Sequence, residues 1–340
     1  MNIGLVGNRG HLEYVFEGLR RKPEVRLGAI ASGSDDAEAD DLLWRCEVEG
    51  HHPERYPVGM QGYRQMLDEA GIEVVCIAGP FELHTPMCLE AFARGIHVFC
   101  EKPVSITLAE LDGLKASFYA NGGVQLSAMM GLRYDPAFYT AWELVRSGAV
   151  GQVRLLNAQK SYRLGFRPAY YHQRQTYGGT IPWVGSHAID WVYWFSGAPF
   201  VAVQASQSRQ ANRGNGSLEV SALCQFRLAD EILASVSVDY LRPASAPSHG
   251  DDRLRVVGTG GVVEVRQGRV YLIEETADGE REIPTRCERQ VFSDFLDQVQ
   301  GNQAAPGIQA ALLSAEDIFA VTEACLLAQI SADEGREILF

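Results

Sequence analysis

The chain has 340 residues, of which 46% are hydrophobic and 21% charged, enough to bury a full core and, by length, to form two domains. Its 43 acidic and 30 basic residues leave a formal net charge of -13, which argues against a nucleic-acid or anionic-membrane surface, because both need clustered Lys and Arg. No apolar run approaches the ~18 residues of a membrane span, and the seven cysteines form no CxxC pair and lie mostly in apolar stretches, so packed free thiols in a reducing cytoplasm are expected.

Ile3 to Val6 reads as a buried strand, entered with no basic leader, so no secretion signal is expected. Gly7-Asn8-Arg9-Gly10 follows as a turn, and Leu12, Val15, Phe16 and Leu19 have the spacing of one helix face. Strand, glycine turn and helix is the arrangement in which backbone approaches a pyrophosphate resting on the helix N-terminus. A GxGxxG begun at Gly7 would put glycine where Arg9 and Leu12 stand, so on its residues alone the loop is either a phosphate cradle or a plain turn.

Val25 to Ala31 is a second strand, ending at Ser32-Gly33-Ser34, where an NAD-preferring site usually carries Asp or Glu for the ribose hydroxyls. Ser32 suits a 2′-phosphate better than a carboxylate would, with Arg9 as a source of charge, but Asp35 and Asp36 lie close behind; NAD and NADP both stand. From Glu38 to Pro57 the composition predicts a solvated loop. His51-His52-Pro53 within it has no carboxylate or cysteine spaced to complete a ligand set, and no metal is expected.

Val74 to Gly79 is the next buried strand, with Pro80 to His84 as a loop at its carboxyl end. A helix is predicted with Thr85 as N-cap, Pro86 at the first position and Gly95 past its end. His97 to Cys100 is another strand, and Thr107 with Glu110 forms a capping box for the helix carrying Leu108, Leu111, Leu114 and Phe118. Strand, helix, strand, helix implies a doubly wound parallel sheet. Val124 to Met129 is its last strand, preceded by Asn121-Gly122-Gly123, and the domain boundary is placed there: residues 1–123, then 124–340.

Beyond residue 150 the pattern changes to alternating strands, Val153 to Tyr162, Val201 to Ser206, Leu218 to Phe226 and Ile232 to Tyr240, with shorter ones around 254–273. These predict a broad, mostly antiparallel sheet with one free face, the kind of surface on which a homodimer or homotetramer forms. Closing helices fall at about 290–330, one from Val291 to Val299 and one from Leu312 to Ile330.

Cys100-Glu101-Lys102-Pro103 sits at a strand's carboxyl end, where open α/β sheets bind ligands, so Lys102 is placed to handle a proton beside a cofactor. On residue type alone, Lys102 and Pro103 read also as a simple turn, and His187 as a core histidine.

With the strands placed, the chain resembles the Gfo/Idh/MocA family of glucose-fructose oxidoreductase, inositol dehydrogenases and related NAD(P)-dependent sugar enzymes. The resemblance is carried by Val75 to Pro80 with His84, by Ala93 to Pro103, and by Arg133-Tyr134, Gly148 to Gly151, Gly178-Gly179 and His187-Ala188-Ile189-Asp190. It implies an α/β protein: an N-terminal Rossmann doubly wound parallel sheet and a C-terminal α+β domain, with a large, mostly antiparallel open sheet, for substrate binding and oligomerisation. It implies NAD or NADP held by Gly7, Asn8, Arg9, Gly10, Ser32, Pro80, His84, Glu101 and Lys102. Lys102 looks like the family's lysine that binds the reacting hydroxyl, and His187 like its acid/base histidine. Asp190 would orient His187 or bind a sugar hydroxyl.

The family's dehydrogenases often have D-x-G-x-H before this helix. Here the run is Trp183-Val184-Gly185-Ser186-His187, so Trp183 replaces the carboxylate, as a flat wall for a sugar ring or as core filling. Tyr162, with Arg163, Tyr170, Tyr171, His172 and Tyr177, reads either as the lining of a polyol pocket or as ordinary surface and packing. The expected activity is hydride transfer between a nicotinamide cofactor and a CH–OH group of a sugar, inositol or related polyhydroxy substrate. Redox-assisted glycoside cleavage is one alternative. A non-catalytic sensor is another, motivated by the altered glycine loop and Trp183 and opposed by the retention of Lys102, His187 and Asp190.

Overall fold

Parallel strands without a polar face need helices on both sides, and the first part of the chain supplies them. The computed structural model describes residues 1–275, 277–301 and 311–340. They form two compact units, Met1–Gly131 with Arg289–Phe319, and Leu132–Glu288 with Ala320–Phe340.

The first unit runs β1 (Asn2–Val6), α1 (Glu13–Arg21), β2 (Arg26–Ala31), α2 (Asp36–Val48), β3 (Glu54–Arg55), α3 (Gly59–Glu69), β4 (Val74–Ile77), α4 (His84–Phe92), β5 (His97–Cys100), α5 (Leu108–Ala120) and β6 (Leu126–Ala128). Among the described residues these strands form one parallel sheet in the order β3-β2-β1-β4-β5-β6, the doubly wound order of a Rossmann fold. Because β1 pairs with β2 on one side and β4 on the other, the chain reverses direction across the sheet between them. A crevice therefore opens at the carboxyl ends of β1 and β4.

The second unit runs α6 (Pro136–Arg146), β7 (Val153–Tyr162), α7 (Arg174–Tyr177), α8 (Ser186–Ser196), β8 (Phe200–Ser208), β9 (Ser221–Leu228), β10 (Leu233–Asp239), β11 (Gly250–Gly258), β12 (Gly261–Arg266), β13 (Arg269–Glu274) and β14 (Arg281–Ile283); α9 (Val291–Val299), α10 (Ala315–Glu334) and β15 (Ile338–Leu339) close the chain. Its sheet has the order β14-β13-β12-β11-β7-β10-β9-β8-β15 among the described residues and is antiparallel except where β7 meets β10. One face carries the helices: the Phe138 and Trp191 rings stack at 3.9 Å between α6 and α8, and Trp142 and Trp194 at 4.8 Å. Exposed apolar side chains include Val201, Leu223 and Leu233 on β8, β9 and β10.

Compactness divides the chain differently from strand type. Residues 124–131 and the helix α9 fall with the first unit, whereas the sequence boundary at 123 put both with the second. The reason is aromatic packing: Phe292 and Phe295 of α9 sit 4.9 and 5.5 Å, centroid to centroid, from Phe99 of β5.

Local expectations were met unevenly. The capping box of Thr107 and Glu110 is formed on α5, and Gly95 adopts a positive φ of 71° just past α4. Thr85, however, is no N-cap. Helix α4 already begins at His84, and the Thr85 hydroxyl turns to the Val104 carbonyl at 3.0 Å and the Ser105 hydroxyl at 2.8 Å. The polar stretch from Glu38 to Pro57 is likewise not a loop: it carries most of α2, whose N-cap Asp35 accepts a hydrogen bond from the Glu38 backbone N–H, and the short β3. The last helix starts at Ala315 rather than Leu312, with Ser314 accepting from the Asp317 N–H.

Candidate active site

The glycine turn after β1 is tied to three strand ends. The Gly7 N–H donates to the Ala31 carbonyl (3.0 Å), the Arg9 N–H to Ala78 (2.8 Å), and the His11 N–H to the Glu101 carboxylate (2.6 Å). Gly7 and Gly10 have φ of 76° and 75°. A Cβ on Gly7 would overlap the Ala78 backbone, and one on Gly10 the Glu101 carboxylate. Both positions therefore demand glycine twice, for conformation and for space. The GxGxxG spacing is absent, but the backbone is held as closely against the strand ends as a pyrophosphate cradle requires, so the loop fits a dinucleotide.

At the end of β2, Ser32 is fully buried and its hydroxyl donates to Glu38 at 2.9 Å. The Ser34 hydroxyl reaches the same oxygen at 2.9 Å, and Arg9 Nε lies 3.3 Å from the other. Ser32 and Arg9, read from sequence as partners for a 2′-phosphate, are thus both gathered around a carboxylate. Asn8 is held from the other direction by Arg45 at the end of α2 (2.7 Å). Pro80 meets this loop, since a Cβ on Gly33 would lie 2.5 Å from its Cδ.

At the end of β5, Glu101 is fully buried and accepts from the His11 N–H, the His11 imidazole (3.0 Å) and the Lys102 N–H (2.9 Å). Burial works to raise its carboxyl, but the charges of His11 and Lys102 and the hydrogen bonds from His11 outweigh it and hold the group below the usual glutamate range. Lys102, 4% exposed, is thereby fixed at its backbone against an ionised carboxylate. His84 spends both ring nitrogens on carbonyls, Nδ1 near Pro103 (2.8 Å) and Nε2 near Gly79 (3.1 Å), and burial pushes its imidazole below its ordinary value. It braces the loop after β4 against the segment that carries Lys102.

In the second unit, His187 and Asp190 stand on α8, both buried. The Asp190 carboxylate is gripped by Arg133: Nε lies 3.0 Å from each oxygen and Nη2 2.6 Å from Oδ1, with both side chains 2% exposed. Trp183 lies on the π-turn Ile181–Gly185 leading into α8, edge-on to Tyr171 at 6.1 Å. Tyr162, at the end of β7, stacks with His249 (5.3 Å) and lies under the Lys160 ammonium (4.8 Å). Trp183 and Tyr162 present flat aromatic rings of the kind on which a sugar ring can stack.

The structure thus groups Gly7, Arg9 and Gly10 with β4 and Glu101, and Ser32 with Arg9. His11, Glu38 and Arg133 were not singled out as site residues by the sequence. The spacing Asp35-x-x-Glu38 is a helix-start signal that would have revealed α2, and with it a carboxylate returning to the end of β2. His11 and Arg133 carried no comparable signal, because their partners lie 90 and 57 residues away.

A Rossmann unit with a glycine-lined crevice, joined in sequence to a unit built on a broad mixed sheet, defines a two-part oxidoreductase architecture. Residues 1–128 match the oxidoreductase family with NAD-binding Rossmann fold, and residues 138–264 the GFO/IDH/MocA C-terminal domain. The chain belongs to the GFO/IDH/MocA family. It is 41% identical to a Thermotoga maritima protein named for a proposed oxidoreductase activity, whose structure matches over 100% of both chains with a TM-score of 0.92. It is 29% identical to the uncharacterised oxidoreductase YrbE of Bacillus subtilis, over 81% of this chain and 76% of that one. It is also 25% identical to inositol 2-dehydrogenase of Salmonella typhimurium, over 62% of this chain and 58% of the relative. Levoglucosan dehydrogenase bound to NADH, 18% identical with a TM-score of 0.81 over 100% of this chain and 98% of that one, shares the fold.

Proposed function

We propose that this protein is an NAD-dependent dehydrogenase or reductase acting on a CH–OH group of a sugar, inositol or related polyol. The observation that carries the reading is Lys102 at the carboxyl end of β5, its backbone fixed to a buried, ionised Glu101 that also clamps the glycine loop. The inositol 2-dehydrogenase relative and the levoglucosan dehydrogenase neighbour support the substrate class.

Gly7, Asn8, Arg9 and Gly10 would cradle the dinucleotide's pyrophosphate, Ser32 and Glu38 would face its adenosine ribose, and Pro80 and Glu101 would shape the crevice walls. Bound there, the nicotinamide supplies a hydride acceptor or donor. Removing a hydride from an alcohol carbon leaves a hydroxyl proton that needs a base. Lys102 binds that hydroxyl and His187 takes or returns its proton. Asp190, held by Arg133, stiffens α8 beneath His187, while Trp183 and Tyr162 contact the ring.

The test is a polyol and sugar panel with NAD⁺, read as NADH absorbance. Lys102→Ala should lower kcat at least about 100-fold on whichever substrate turns over, with NADH affinity within about twofold of the parent. Full activity in that variant would end the assignment. The apolar side chains Val201, Leu223 and Leu233 suggest that a second copy docks on the sheet face, as a homodimer or homotetramer. A monomeric mass by light scattering would exclude this.

A further inference from the structure

Where β7 and β10 end, the second unit gathers positive charge in a protein whose overall charge is -13. Arg163 follows β7 and bridges to Leu241, Arg167 lies four residues on, and His249 stacks on Tyr162. The Arg167 guanidinium lies over the rings of Tyr240 (4.4 Å) and Tyr171 (5.5 Å), which fix its plane. Its hydrogen bond is a long one to the Arg163 carbonyl (3.4 Å), and Arg163 donates to the Ala246 carbonyl.

Among the described residues, neither guanidinium has an ion-pair partner, and the Nε of each is buried with no hydrogen-bond acceptor. The carboxylates at these strand ends pair with other groups: Asp251 with Arg242 and Arg253, Asp252 through Oδ2 with Lys160, its Oδ1 being buried without a hydrogen bond, and Asp239 with Ser161 and the Leu241 N–H. Guanidiniums without a counterion favour an anionic acceptor from outside the chain. His249 agrees: burial, and then the charges of Arg167 and Arg163, hold its imidazole below its ordinary value, as expected beside cations with no counterion. Tyr171 links this cluster to the aromatic wall, because its ring also meets Trp183, four residues before His187.

We propose that Arg163 and Arg167 bind a carboxylate carried by the polyhydroxy substrate, so that the protein acts on a sugar acid rather than on a neutral sugar. This rests on the polyol reading above. Arg is the side chain suited to the task, since its planar fork matches a carboxylate.

The experiment is calorimetric binding of D-glucuronate and D-glucose to the NADH-saturated protein at constant ionic strength. Glucuronate should bind at least about tenfold more tightly than glucose. Arg167→Gln should remove that preference and leave glucose unchanged, while Arg167→Lys retains part of it. Equal binding of the two sugars by the parent, or a preference unaltered in Arg167→Gln, overturns the proposal. If neither sugar binds, the anion site is tested alone, by NMR titration of His249 in sulfate against chloride. A midpoint raised by sulfate in the parent but not in Arg167→Gln sustains the anion site, and no shift overturns it.

Discussion

The two units build their candidate sites in different materials. The first uses backbone: glycines at positive φ bring main-chain N–H groups against strand ends, and a buried carboxylate, Glu101, fills the space that the missing side chain of Gly10 leaves. The second uses side chains: an Arg133–Asp190 fork, stacked indoles and two tyrosines under Arg167. A backbone site fails through geometry, whereas a side-chain site fails through an uncompensated charge. Damage to the first should appear in cofactor binding at little cost in stability, and damage to the second in stability first.

The sharpest way to break that contrast is Arg133→Met, which leaves the Asp190 carboxylate buried without its fork. The second unit should lose about 3–5 kcal/mol. This is read as a lowered denaturant midpoint in the fluorescence of Trp194, whose ring lies 5.4 Å from the guanidinium. NADH affinity should stay close to that of the parent. A stable variant that no longer binds NADH would reverse the assignment of roles.

Gly10→Ala probes the other side. Its methyl group must enter the space of the Glu101 carboxylate at a φ of 75°, so the loop has to move, and NADH binding should weaken about 100-fold, near 2.7 kcal/mol. Unchanged affinity in a fluorescence titration would mean that the glycine loop does not hold the dinucleotide.

The smallest effect is expected at Glu38, where one carboxylate gathers Ser32, Ser34 and Arg9. Its charge disfavours a 2′-phosphate and suits a ribose hydroxyl, so the parent should prefer NADH over NADPH. Glu38→Gln should shift that ratio about tenfold toward NADPH by releasing Arg9. A ratio equal in parent and variant would remove Glu38 from cofactor selection.

Much of the first unit was legible in the residues. Its strands are continuous apolar runs, its glycines and capping residues are local signals, and Lys102 stands directly after a strand. Period and composition report structure where the partners are near in sequence. Errors arose where a polar surface concealed helical order, as in α2, or where tertiary contact overrode a local signal. Thr85 had the identity of an N-cap, but its hydroxyl was claimed by Ser105 and Val104.

By itself, the sequence determined that this is an α/β chain with a parallel dinucleotide-type sheet before a broad mixed one, with Lys102 at a strand end and His187 and Asp190 on one helix. Only the tertiary structure decided that Glu38 brings a carboxylate to Ser32 and Arg9 at the end of β2, that His11 clamps Glu101, that Arg133 holds Asp190, and that Arg163 and Arg167 lack a counterion. The division follows from range: periodicity and caps act over a few residues, whereas a charge finds its partner through the fold, here across 90 positions for His11 and Glu101 and 275 for Lys22 and Asp297.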